Sequence, residues 1–229
     1  MNTEVSRQFI ILSLNPDTGR YMVLGNYLTY GIIGSMFMDM ALEERITIYN
    51  SKMNAASSTE PAGLITHDRI LEKLRATSKT RTVKRWLQSF GSRSAWYRKE
   101  LQKHFVDNGI LKEMRRRFIG IPYKLYFPAV RGERQKLIRR YKDILLFGKK
   151  PDETELMVLG LIYACRMHRI LADKGPDRRK IRKAVVKQIK DNPVASEINK
   201  AIIEMQMAIT ASIAAASAAS AASSASSSH

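Results

Sequence analysis

The sequence predicts a mainly α protein: a central apolar helix surrounded by amphipathic helices, with one β-hairpin and winged-helix-like segments. Three observations carry this reading. Apolar residues recur at spacings of three and four along most of the chain, as one helix face requires. Two segments, NYLTYGIIGSMFMDMALEE at 26–44 and LMVLGLIYAC within 152–171, are apolar on nearly every side and belong at the centre. One segment instead alternates at period two, through Ile119, Ile121, Tyr123, Leu125 and Phe127. It marks a hairpin at about 114–127.

The elements follow in order. VSRQFIILSL (5–14) reads as a short helix, and NPDTG after it as a turn, with Pro, Asp and Gly in turn positions. The buried helix 26–44 carries Gly31 and Gly34, which let another helix approach closely. Its methionines, Met36, Met38 and Met40, read as core filler. RITIY (45–49) alternates as a short strand, residues 50–63 read as a polar loop, and 64–74 resumes helical spacing. Val83, Trp86, Leu87 and Phe90 share one face of a helix over 80–90. Ser94 is placed to cap the next helix, 95–108, with Trp96, Leu101, Phe105 and Val106 on its stripe and Asn108-Gly109 at its end. Trp86 and Trp96 are core anchors.

The hairpin comes next, with Gly120-Ile121-Pro122 as its turn and one face buried. In 131–147, Leu137, Ile138, Tyr141, Ile144 and Leu145 face inward. The central helix 152–171 has Asp152, Glu153 and Glu155 at its start and Arg166, His168 and Arg169 at its end, an order that complements the helix dipole. In 177–190, Ile181, Val185 and Ile189 face inward while Arg178, Arg179, Arg182, Lys183 and Lys187 remain for solvent or a partner. Asn192-Pro193 breaks that helix. An Ala-rich helix fills 194–225, fraying at its serine-rich end. One globular domain is expected over 1–205, with 206–229 as a C-terminal helix and tail.

The 229 residues carry a formal net charge of +18, which favours partners bearing negative charge. The charge is concentrated. Residues 1–60 hold four basic and six acidic residues, 78–117 hold 12 and three, and 131–150 hold eight and two. The single cysteine, Cys165, excludes a disulfide framework, and a cytosolic compartment is the simple reading. No stretch is long and apolar enough for a membrane-spanning helix or a signal peptide. HExxH, paired CxxC, P-loop and GxSxG patterns are absent, so neither catalysis nor a cofactor is expected. Cys165 and His168 are three apart on a helix, but two ligands do not hold a metal. His67-Asp68 reads as a helix start.

Function therefore rests on the basic clusters. Arg93, Arg98, Lys99 and Lys103 lie on one helix, and Arg115, Arg116 and Arg117 open the hairpin that follows it. A helix, a short connection and a basic hairpin together resemble the ending of a winged helix, a DNA-binding architecture. An anionic bilayer suits the pattern equally, because both partners present phosphates. A winged-helix reader needs polar residues on an exposed face. Residues 95–108 offer only Gln102, His104 and Asn108, scattered.

The order of motifs resembles the Golgi phosphoprotein 3-like family, over roughly residues 5–220. The matching pieces are the DTG turn, GIIGSMFMDMALEERITI, RILEKL, TVKRWL, YRKELQKHFVDNGILKE running into RRRFIGIPYKLYFP, and the apolar helix after Pro151. The resemblance implies a non-catalytic peripheral membrane protein that binds anionic phospholipid headgroups, phosphatidylinositol 4-phosphate in the Golgi members, and makes oligomer contacts through the hairpin. The family's headgroup pocket uses one tryptophan and three arginines. Those places fall here at Leu24, Ile33, Ala95 and Arg98, so Arg98 alone matches. Arg93 and Tyr27 are the nearest residues to stand in for a missing arginine and the missing tryptophan. Each lost arginine removes charge-assisted phosphate bonds worth roughly 1.5–3 kcal/mol. A family member outside the Golgi branch, such as a bacterial one, is expected. It would be cytoplasmic and peripherally membrane-associated, with Arg93, Arg98, Arg115, Arg116, Arg117 and Tyr27 as headgroup candidates.

Overall fold

The computed structural model describes residues 3–23, 25–57, 60–172, 175–191, 204 and 207–219. The fold is mostly helical, with two small antiparallel sheets. Its centre is a pair of apolar helices, α2 (Gly25–Leu42) and α7 (Glu153–Ala164), packed on each other and on α1 (Glu4–Ser13). Glycine makes the close approach possible. A Cβ on Gly31 would fall 2.2 Å from a ring carbon of Phe9 in α1 and 2.9 Å from the Cys165 sulfur. Met36, Met38 and Met40 are buried, as core filler should be.

A buried carboxyl group holds α1 in place. Asp39 of α2 accepts the N–H groups of Val5 (2.9 Å) and Ser6 (3.1 Å), two of the donors that the first turn of any helix leaves unpaired. At the other side of the core, α6 (Glu133–Phe147) meets α7 through a fork. Arg140 Nε and a terminal guanidinium nitrogen donate to Glu155 at 2.6 and 2.9 Å. Glu155 also closes a capping box with Asp152, whose carboxylate accepts the Glu155 N–H at 2.7 Å.

Several boundaries differ from the sequence reading. The loop expected over 50–63 contains β2 (Lys52–Ala55), which pairs with β1 (Ile46–Tyr49) through a turn at Asn50-Ser51, both at positive φ. A third strand, β3 (Arg81–Thr82), takes residues expected to be helical, because its pairing with β2 supplies hydrogen bonds that a first helical turn lacks. Helix α3 (Ile65–Arg75) matches its expected span, and α4 (Val83–Gly91) begins after β3, capped by the Thr82 hydroxyl. Helix α5 (Ser94–Asp107) begins one residue early, so Ser94 lies inside it and caps nothing. Helix α7 stops at Ala164. Arg166 takes a left-handed conformation (φ 54°), and Met167–Arg169 form a short 3₁₀ turn that carries the basic residues expected at the end of α7.

Trp86 is fully buried, stacked on Phe90 with ring centroids 5.6 Å apart. Trp96 packs more openly, edge-on to Tyr97 at 4.8 Å. Helix α8 (Gly175–Asp191) buries Ile181, Val185 and Ile189 as expected. Of the last helix, residue 204 and residues 207–219 (α9) are helical. Much of 194–206, the Asn192-Pro193 break and the serine-rich end lie outside the described residues. Ile209 and Ile213 of α9 pack into the core, and a Cβ on Gly34 would fall 2.7 Å from Ile209 Cδ1.

Candidate functional site

The charged hairpin is built from β4 (Leu111–Phe118) and β5 (Ile121–Pro128). Its register runs unbroken from Leu111 opposite Pro128 to Phe118 opposite Ile121. The turn is therefore Ile119-Gly120, both at positive φ (49° and 78°), and not the expected Gly120-Ile121-Pro122. A two-residue turn with two left-handed positions matches the twist of the strands, whereas Ile121 and Pro122 are already paired.

Strand alternation sorts the side chains. Met114, Arg116, Phe118, Ile121, Tyr123, Leu125 and Phe127 share one face. Glu113, Arg115, Arg117, Lys124 and Tyr126 share the other. Only the base is covered. Leu111 and Tyr126 are buried, Tyr126 donates its N–H to the Gly19 carbonyl at 3.1 Å, and Phe127 lies against Gly19. The outer half projects with both faces open, so the expectation of one buried face holds only at the base. Phe118 is 68% exposed, Ile119 84% and Ile121 69%. These three apolar residues cap a collar of Arg115, Arg116, Arg117 and Lys124, all exposed. The collar holds one carboxylate. Glu113 accepts from Lys124 (2.8 Å) and Arg115 (3.0 Å), and these bonds, Lys124 first, hold it below the usual carboxylate range.

The sequence-predicted residues divide among three places. Arg115, Arg116 and Arg117 stand together on the hairpin, Arg116 on the apolar face. Arg98 sits on α5 near the hairpin base, where its charge acts on the Tyr21 and Tyr126 hydroxyls. Burial raises both tyrosines, and Tyr126 also faces Glu113. Arg93 precedes α5 and acts instead on Lys73 and Tyr97. Tyr27 lies on α2 beneath the Arg166 guanidinium, 5.6 Å from ring centre to Cζ. The N-terminal parts of α2 and α5 do meet, through Thr29 and Ser94 hydroxyls 3.4 Å apart. Ile33, at the place of a pocket arginine, is fully buried and so lies out of reach of a headgroup, while Ala95 is exposed.

Two of the remaining polar candidates, Gln102 and Asn108, have structural partners. Gln102 is buried and donates to the Tyr21 hydroxyl at 2.7 Å. Asn108 donates to the His104 carbonyl at 2.8 Å. Burial pushes the Cys165 thiol up, and burial with four nearby arginines keeps His168 below its ordinary value. His67 is buried beside the Thr66 hydroxyl, held down to about 3 chiefly by burial. The sequence reading missed Phe118, Ile119, Ile121 and Lys124 as surface features. The signal was the FIGI tetrapeptide: a two-residue turn at its centre makes Phe118 and Ile121 the terminal pair.

The protein is thus a mostly helical body built on two apolar helices, with a cationic hairpin raised from its surface. The chain belongs to the Golgi phosphoprotein 3 (GPP34) family, whose profile matches residues 5–205. No curated protein matches the chain. Among the described residues, no helix is long and apolar enough to cross a membrane.

Proposed function

We propose that this chain is a non-catalytic, cytoplasmic, peripheral membrane protein that docks on anionic phospholipid through its hairpin. The collar of Arg115, Arg116, Arg117 and Lys124 meets the headgroups, Arg98 supports them near the base, and Phe118, Ile119 and Ile121 enter the apolar layer. The observation that carries this reading is the pairing of an exposed apolar tip with a cationic collar. The exposed apolar tip is costly in water, the clustered cations repel one another, and both are useful at a bilayer. Each basic residue near an anionic surface contributes on the order of 1 kcal/mol. Fully burying an isoleucine or phenylalanine contributes roughly 1.5–3 kcal/mol. Two modest signals together give reversible attachment.

Selection is for negative charge more than for one headgroup. Ile33 and Ala95 supply no charge-assisted bond, so phosphatidylinositol 4-phosphate is one acceptable headgroup among several. The order of helix α5 and basic hairpin also fits a nucleic-acid reader. The burial of Gln102 speaks against α5 as a base-reading helix. Flotation with vesicles of phosphatidylcholine alone, with added phosphatidylserine, or with added phosphatidylinositol 4-phosphate tests the proposal. Both anionic vesicles are expected to retain the protein at moderate salt, and Arg115→Gln/Arg116→Gln/Arg117→Gln to lose about tenfold or more of that retention. Absence of retention on both would sink the reading. Duplex DNA binding through the same arginines, with a steep salt slope, would replace it.

The exposed hairpin is also where a second copy would dock, as the family resemblance implies. Sedimentation of the wild type against Phe118→Ser/Ile121→Ser reads that separately.

A further inference from the structure

A second set of cations gathers where α3, β3, α4 and the start of α5 meet. The Arg69 guanidinium lies 5.0 Å from the Trp96 ring centre, the Lys73 ammonium 5.0 Å from Phe90, and the Arg81 guanidinium 5.2 Å from Trp86. Those rings form one run: Trp86 stacks on Phe90, Phe90 meets Tyr97 edge-on at 5.7 Å, and Tyr97 meets Trp96. Three cations thus stand along a single aromatic strip, and Arg93 joins them. Lys73 is held below its ordinary value first by burial, then by Arg93, Arg81 and Arg69 in turn. Its ammonium donates to the Ser89 hydroxyl at 2.9 Å. No carboxylate among the described residues forms an ion pair with any of the four. The nearby Asp68 instead accepts the Ala62 N–H at 2.5 Å.

Purely structural use explains this poorly. Aromatic faces attract single cations, but they do not cancel the repulsion among four. A multivalent oxyanion does cancel it, and forked guanidiniums suit phosphate oxygens. We infer that Arg69, Lys73, Arg81 and Arg93 form a binding site for a phosphomonoester dianion, with the Ser89 hydroxyl beside it. The density of charge favours a dianion over the single charge of a phosphodiester. This site uses no hairpin residue and stands whether or not the hairpin docks on membranes. A lipid phosphomonoester and a soluble one present the same group.

Trp86 and Trp96 are the chain's only tryptophans, and both lie against these guanidiniums, so their emission reports occupancy. The full chain is titrated with inorganic phosphate and with glycerol 3-phosphate, each against sodium chloride of matched ionic strength. A saturable change is expected with at least one. Lys73→Gln and Arg93→Gln should each weaken it about tenfold, one lost charge-assisted contact apiece, while Arg115→Gln/Arg117→Gln leaves it unchanged. Vesicles of phosphatidylcholine with phosphatidic acid, a monoester, are compared with those containing phosphatidylglycerol, a diester, in the Phe118→Ser/Ile121→Ser background. A response to phosphatidic acid vesicles without one to soluble phosphate assigns a lipid source, and the converse a soluble one. No saturable response to any probe overturns the site, as does an equal response in the variants. Arg93 is exposed and outside the core, so its variant carries the test if Lys73→Gln does not fold.

Discussion

Ile119 is the most telling single residue. A β-branched side chain at φ 49° is strained, and this one is 84% exposed, so packing does not explain it. Asparagine tolerates that conformation and favours the turn type. Ile119→Asn is therefore expected to raise the urea-unfolding free energy by about 1 kcal/mol while reducing vesicle retention. Opposite movements of stability and binding mark a residue kept for its contact with something outside the chain. Asp39 illustrates the reverse case, a polar residue kept for the fold. Burial pushes its carboxyl up to about 8, outweighing hydrogen bonds from Ser6 and Val5. A folded value above the unfolded value of about 3.9 means that the folded state holds more protons between the two. Stability from Asp39 thus falls as pH rises through about 8. His67 acts oppositely, held to about 3 against about 6.5 unfolded, so its contribution is complete above about pH 6.5. Between about pH 6.5 and 8 the Asp39 slope remains, and Asp39→Asn should flatten the urea midpoint there. Nothing local signals this role: Asp39 sits in MFMDMAL, and its partners lie more than thirty residues away.

At the scale of elements, helical spacing located α1, α3, α6 and α8 closely because each buries a stripe that local sequence encodes, and α2 was located by its apolar run. Strands β2 and β3 were hidden because their stabilisation is tertiary. In β2 only Met53 is buried, and the pairing partners come from β1 and β3. The hairpin was legible as a hairpin, through alternation and basic residues. Its open outer half was not, since alternation describes faces and says nothing of what covers them. Its anchorage depends on Gly19, at φ 65° with the Phe127 ring 2.7 Å from where a Cβ would lie. Gly19→Ala is expected to cost roughly 1–2 kcal/mol and to speed amide exchange at Tyr126. Unchanged exchange there would mean that the hairpin does not lean on the DTG turn.

Over the whole molecule, the positive charge read from composition resolves into separate features. The collar on the hairpin was visible as consecutive arginines. The gathering of Arg69, Lys73, Arg81 and Arg93 was not, because three elements must fold before those side chains converge. Ile33 shows the same limit from the other side. Its match to a pocket position was legible, and its complete burial required the packed α2. The proposed docking places the hairpin tip inside an anionic bilayer. Cys165 is buried with its thiol pushed up, so Ile119→Cys supplies the one accessible thiol for an environment-sensitive fluorophore. With vesicles of phosphatidylcholine and phosphatidylserine, the label should shift to the blue and be quenched by acyl-chain-brominated lipid. Vesicle-bound protein whose label neither shifts nor is quenched would mean that the tip stays outside the bilayer.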